Sequence, residues 1–208
     1  MNSETVKEHG TNEGASVVGI ASTDDFGSAP EGSKPSDKLN GCRSVIVLAA
    51  PFTQVALNDP AEYTEVRQKM VKRMGDIAEK VAKQIKSNGH KAVPIVSLSE
   101  KISLRHAAEL AGLGVIGRNH LLISREYGNL LWFSAVLTDA ELIPDKKAEY
   151  SFCDDCDICV KACPVNALDD PVSFGRKECS AICMKMVKGA FTITCFQCRK
   201  VCPHRFGK

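Results

Sequence analysis

Nine of the ten cysteines of this 208-residue chain fall after residue 152, and that crowding limits what its C-terminal end can be. A short segment dense in thiols and poor in long apolar runs cannot bury enough surface to hold itself together. It needs cross-links or metal. Disulfides suit exported mini-proteins. The N-terminus, MNSETVKEHGTNEGAS, carries no charged-then-apolar export pattern and no twin arginine. Metal is the better account, and the expected compartment is the cytoplasm.

The cysteines form two runs. CDDCDICVKACP supplies Cys153, Cys156, Cys159 and Cys163, the last followed by Pro164. This is the C-x2-C-x2-C-x3-C-P spacing of bacterial-type ferredoxins, in which three thiolates hold one 4Fe–4S cluster and the fourth reaches another. CFQCRKVCP supplies Cys195, Cys198 and Cys202 before Pro203, and Cys179 lies upstream to replace the cysteine this run lacks. The expectation is two 4Fe–4S clusters. Cys153, Cys156, Cys159 and Cys202 would hold one; Cys163, Cys179, Cys195 and Cys198 would hold the other. Cys-x2-Cys pairs also build zinc ribbons, but four cysteines in one run and Cys-Pro endings on both runs favour clusters. Cys183 is left over beside Cys179 and is an alternative ligand. Cys42 opens a strand and reads as a small buried residue.

Upstream, the pattern is that of a layered α/β or α+β core. Residues 1–15 are polar and expected to be flexible. Ser16–Ala21, Ser44–Ala50 and Ala92–Val96 read as strands: short, β-branched and bounded by Gly, Pro and Ser. Ser22–Gly41, rich in Asp, Gly, Ser and Pro, reads as loop. Val66, Met70, Met74, Ile77, Val81 and Ile85 recur every three or four residues, which predicts one long amphipathic helix from about Glu62 to Ser87. Asn88-Gly89 is its stop signal. Leu104–Ala111 predicts a short helix. Leu121–Ser124 and Leu130–Asp139 predict two strands joined by a turn at Tyr127-Gly128. The pattern dissolves after Pro144, so three parts are expected: a flexible 1–15, an α/β module over 16–147, and a ferredoxin-like module over 148–208. A net charge of +2 is too small to suggest a nucleic-acid binder on its own, and a nucleic-acid partner is not expected; no apolar run reaches the roughly 18 residues that cross a bilayer.

RHAAELAGLGVIGRNHLLISREYG (Arg105–Gly128) followed by VLTDAEL (Val136–Leu142) resembles the epoxyqueuosine reductase family and its relatives, the reductive dehalogenases. The family pattern is AGLG-x-IG-[KR]-N, then LLI, EYG and LTD-x-x-L, then a double-cluster module in the same cysteine order. PEGSKPSDKLNGCRSVIVLA is similar to the start of the family's short members. The resemblance covers roughly residues 15–208. It implies a nitroreductase-like layered module, cobalamin bound base-off beside one cluster, and electrons passed through both clusters for a reduction. Gly112, Gly114, Gly117, Arg118 and Asn119 become the expected cofactor contacts, since glycines admit a flat macrocycle and the two polar residues can bond its amides.

Two departures shape the expected substrate. The family's acidic proton donor lies in an Asp-Thr-Ala-Pro-like segment before the arginine matching Arg105. Here that segment is SLSEKISLR, with Leu98 at the aligned place and Ser97, Ser99 and Glu100 nearby. The family's helical-repeat region for tRNA is also missing after the last cysteine run. The substrate is therefore expected to be a small molecule other than tRNA, or else a partner corrinoid protein served by a non-catalytic electron carrier. His106, whose ordinary pKa suits proton transfer at neutral pH, and Tyr127 are the replacement donor candidates. A ferredoxin- or flavodoxin-like protein is the expected electron source. The basic tail RKVCPHRFGK reads as a solvated face that offsets the clusters' negative charge.

Overall fold

A computed structural model describes residues 1–29, 31–51, 57–96, 102–171 and 173–207. Its centre is a four-stranded antiparallel sheet in the order β1-β2-β6-β3, built from β1 (Val17–Ser22), β2 (Ser44–Pro51), β3 (Ala92–Ile95) and β6 (Leu131–Thr138). β2 lies between β1 and β6, with Ile46 opposite both Ile20 and Val136. It is buried from Ser44 to Ala50 because both faces of the sheet are covered. Alternation along the strand sends Ile46, Leu48 and Ala50 into one core and Val45, Val47 and Ala49 into the other. Pro94 has no amide hydrogen to donate, and β3 is accordingly an edge strand.

The first core is roofed by the long helix α2 (Pro60–Ser87). Asp59 caps its start by accepting from the amides of Ala61 and Glu62, and Pro60 occupies the first turn, where a missing N–H costs nothing. Met70, Met74, Ile77, Val81 and Ile85 are buried, and Val66 packs partly against the same core. The second core lies beneath α3 (Leu104–Leu110) and the loop after β1, which contains two short 3-10 turns. Two-residue strands β4 (Val115–Ile116) and β5 (Leu122–Ile123) pair with each other, so β5 does not form the hairpin with β6 that the turn at Tyr127-Gly128 suggested.

Residues 1–15 also depart from expectation. Ser3–Asn12 is an α-helix, α1, capped by Asn2. It docks through the buried Val6 and through Gly10, where an added Cβ would lie 2.8 Å from Leu48 and 2.9 Å from Val18. One apolar side chain and one close backbone approach leave almost no periodic signal in the sequence.

Beyond β6 the chain runs without regular structure to α4 (Ile158–Lys161), α5 (Arg176–Cys183), the hairpin β7 (Met184–Val187) and β8 (Ala190–Ile193), and α6 (Gln197–Lys200). Asp145 fastens the start of this stretch: its carboxylate accepts from the Ile20 amide at 2.8 Å and pairs with Lys7. Ile193 is buried in the first core, its amide donating to Thr64 on α2 at 2.8 Å, and Phe196 stacks on Tyr63 with ring centroids 4.5 Å apart. Among the described residues no helix is long and apolar enough to cross a membrane.

Candidate cluster site and an arginine-lined cavity

The two cysteine runs meet because α4 and α6 pack together. Cys159 lies on α4, Cys198 on α6, and Cys179 and Cys183 on α5. Cys153, Cys156, Cys159 and Cys202 line one small cavity of about 10 Å³, closed by Phe152, Pro203 and His204. The remaining thiols gather beside it. Cys198 lies within electrostatic reach of Cys195 and Cys163, and Cys179 within reach of Cys195 and Cys198. Cys183 joins this second group as a fifth thiol, hydrogen-bonded to Cys179. Cys163 Sγ also accepts from the Ala167 amide at 3.3 Å.

Burial, reinforced by neighbouring sulfurs, raises the thiols of Cys159, Cys179, Cys183, Cys198 and Cys202. Cys159 is pushed up to about 11 and Cys179 to about 12. Crowded thiols of this kind give up their protons when a positively charged metal centre takes the protons' place. Among the described residues no three His, Cys, Asp or Glu side chains close on a point as ligands of one ion do; the four thiolates of a cubane each take a different iron and stand farther apart. Cys42 is buried in the second core, its partners being Thr23 and the Ser44 carbonyl.

The loop Gly112–Asn119 braces this region. Gly112 has a positive φ of 74°, and a Cβ there would lie 2.3 Å from the Lys146 carbonyl oxygen. Gly117 runs so close to the cysteines that a Cβ would meet Ile123 at 2.5 Å and Cys153 Sγ at 3.2 Å, while Gly114 packs on the Ile123 carbonyl. Arg118 faces Asp157. Asn119 is 4% exposed; its Nδ2 donates to the Cys198 carbonyl at 3.3 Å and its Oδ1 accepts from the Leu121 amide at 3.1 Å. The glycines thus admit the chain's own backbone, and Asn119 ties the loop to α6.

None of those five residues lines the large cavity of about 1130 Å³ that opens between the sheet, α2, α3 and the cysteine-rich region. Its cationic wall is Arg67, Arg105, Arg176 and Arg199, with His106 beside them; its apolar wall includes Phe26, Leu122, Leu131, Trp132 and Phe133. Among the described residues no carboxylate lines it. Arg105 donates to the His120 carbonyl and Arg199 to the Asn129 carbonyl. Arg67 lies 4.9 Å over the Trp132 ring. Asn129, 1% exposed, is part of the lining; its Nδ2 donates to the Arg199 carbonyl at 3.4 Å, and its buried side-chain oxygen has no hydrogen-bond partner among the described residues. The second thiol group borders this space, since in its wall Arg176 shares α5 with Cys179 and Cys183, Met184 directly follows Cys183, and Arg199 shares α6 with Cys198.

His106 lines the cavity, edge-on to Phe26. Its Nδ1 faces Glu109, whose carboxyl is held below its ordinary range chiefly by the hydrogen bond from His106. Tyr127 packs against the second core and does not line the cavity, and the neighbouring Glu126 raises its phenol. Ser97, Leu98, Ser99 and Glu100 lie outside the described residues. The basic tail is not wholly a solvated face, because Arg199 is 8% exposed and turned inward. No periodicity or spacing points to Arg67, Arg176 or Asn129: they come from separate elements, and only the fold brings them together.

Residues 148–169 match the 4Fe-4S binding domain model. The chain is 32% identical over 143 residues to a tetrachloroethene reductive dehalogenase of Desulfitobacterium hafniense, covering 66% of this chain and 26% of that protein. It is 32% identical over 152 residues to the epoxyqueuosine reductase of Gloeobacter violaceus, covering 69% of this chain and 46% of that protein. The chain belongs to the epoxyqueuosine reductase-like family. It carries that family's iron–sulfur module and counts the reductive dehalogenases as relatives, yet spans less than half the length of the two proteins just named. The family's fold recurs over nearly the whole chain. A selenomethionine-labelled epoxyqueuosine reductase superposes with a TM-score of 0.74 at 19% identity, covering 97% of this chain and 65% of its own. A reductive dehalogenase whose structure bears on B12-dependent dehalogenation gives 0.79 at 21% identity, covering 97% and 32%.

Proposed function

We propose that the chain is an iron–sulfur reductase module: two 4Fe–4S clusters supply electrons, and a cobalamin-type corrinoid seated in the arginine-lined cavity serves the reduction of a small molecule other than tRNA. Cys153, Cys156, Cys159 and Cys202 would hold one cluster, and Cys163, Cys179, Cys195 and Cys198 the other. The observation that carries this reading is adjacency: the second thiol group borders a cavity large enough for a macrocycle, beyond the roughly 300–1,000 Å³ of ordinary small-molecule pockets. Apolar walls at Phe26 and Leu122 would cover a macrocycle's faces. Arg199 and Ser103 in the same lining offer donors and an acceptor for its amide side chains. A corrinoid bound there supplies a low-potential metal centre for breaking a polarised carbon–oxygen or carbon–halogen bond. His106 is the proton donor within the cavity wall, and Glu109 orients its ring.

The remaining assignments are proposals of the same standing. The α/β module over 16–147 is read as nitroreductase-like in its layering, supported by helices on both faces of the sheet, and 148–208 as the cluster module. The electron source is a ferredoxin- or flavodoxin-like protein.

A second reading, a two-cluster carrier that passes electrons to a partner such as a corrinoid protein, is favoured by the β7–β8 hairpin. It holds Met184, Met186, Val187 and Phe191 exposed, an apolar face suited to docking. Anaerobic reconstitution, iron and sulfide counts, and titration with cob(II)alamin followed by EPR decide between the two. About eight irons per chain with a base-off, protein-bound cobalt signal is the expected result. Eight irons with the signal of free cobalamin overturns the corrinoid site and leaves the carrier.

A further inference from the structure

We propose that the cavity takes an organic anion, a ligand whose carboxylate or phosphate lies among Arg67, Arg105 and Arg176 while its apolar body rests on Phe133 and Leu131. This deepens the reductase reading by naming the substrate class of the same cavity. The three arginines come from α2, α3 and α5, so no local pattern accounts for their meeting. Among the described residues none of the three makes an ion pair with a carboxylate. Burial depresses Arg67 and Arg105, and Arg176 and Arg199 depress Arg105 further. Gathering like charges in a half-closed apolar space is costly unless an opposite charge joins them.

Arg67 is stacked on Trp132, so its planar N–H edge remains the part that can grip an anion. Leu122, Leu131 and Phe133 belong to the same lining, an apolar surface fit for a ring or chain and unfit for a free inorganic ion.

Trp132 is the only tryptophan of the chain and lines the cavity, so its fluorescence reports binding there. Cluster-loaded protein, without corrinoid, is titrated with cyclohexanecarboxylate, cyclohexylphosphonate and neutral cyclohexanecarboxamide, with calorimetry as a second readout. The two anions are expected to bind at least about tenfold more tightly than the amide, because charge-assisted hydrogen bonds are about twice as strong as neutral ones. The ratio of carboxylate to phosphonate affinity tells which anion the site prefers. Arg176→Met is expected to remove most of the anion preference while leaving the amide's affinity unchanged. Equal binding of all three probes to the unaltered protein overturns the proposal, and so does an anion preference untouched by Arg176→Met. Anion preference in a protein that leaves the cob(II)alamin signal free sinks the corrinoid reading alone. A base-off signal without anion preference sinks this inference alone.

Discussion

Replacing Gly112 by alanine tests whether the glycine loop exists for the chain's own backbone. The new methyl meets two obstacles. At φ +74° an alanine carries about 1–2 kcal/mol of left-handed strain. Its Cβ would also stand 2.3 Å from the Lys146 carbonyl oxygen, and overpacking of this kind costs a further 1–3 kcal/mol or so. Lys146 cannot drift away freely, since its neighbour Asp145 is bonded to Ile20 through both amide and carboxylate and pairs with Lys7. Gly89 is the control: its φ is +85°, but nothing lies within 4 Å of an added Cβ, so Gly89→Ala carries the strain alone. For a chain of this size each kcal/mol shifts the melting temperature by about 2–4 °C. Gly112→Ala should therefore melt about 4–8 °C below Gly89→Ala if the contact costs ~2 kcal/mol. Circular dichroism melts of the two anaerobic, cluster-loaded variants measure the gap. Equal melting temperatures, together with lost corrinoid binding in Gly112→Ala, would refute the reasoning and return the glycines to a cofactor role.

The other predictions concern the thiols, their brace and one carboxylate. Cys202→Ala should lower the iron count from about eight to about four per chain, whereas Cys183→Ala should leave it at about eight; a loss from Cys183→Ala would make that residue a ligand. Asn119→Ala removes a side chain bonded to both α6 and Leu121 and leaves buried backbone groups unpaired, at about 1–3 kcal/mol, so its iron should leave faster under a chelator. The Glu109 carboxyl is held below its ordinary value of 4.5, so its contribution to stability is fully present above that pH and fades as pH falls through the lowered value. Glu109→Gln should then have a lower urea midpoint than the unaltered protein at pH 7, and the difference should shrink as the pH is stepped down below about 4.5. A gap constant with pH would show that Glu109 acts through packing.

The strands and α2 were legible because burial on one or both faces writes a period of two or 3.6 into the sequence, as Ile46, Leu48 and Met74 show. Asp59 and Asn88-Gly89 mark the ends of α2 through capping chemistry. α1 was hidden because its docking rests on Val6 and on the absence of a side chain at Gly10. The strand Leu122–Ile123 could be read as extended, but its partner could not, since pairing β5 to β4 depends on the close passage of Gly114 under the Ile123 carbonyl. The cysteine spacing is explicit in the sequence, and in the fold Cys202 and Cys153 line one small cavity. The cavity had no such signature. Arg67 looks in sequence like one more charge on an exposed helix face, and only the fold turns it toward Trp132.

The small cavity shared by Cys153, Cys156, Cys159 and Cys202 sets the order in which the region can be completed. Its first three thiols leave the ribosome some forty residues before the fourth, and the whole second group is threaded through that interval. The second group is therefore whole at Cys198 before the first can gain its fourth thiol, and the first closes last, like a clasp shut over a finished link.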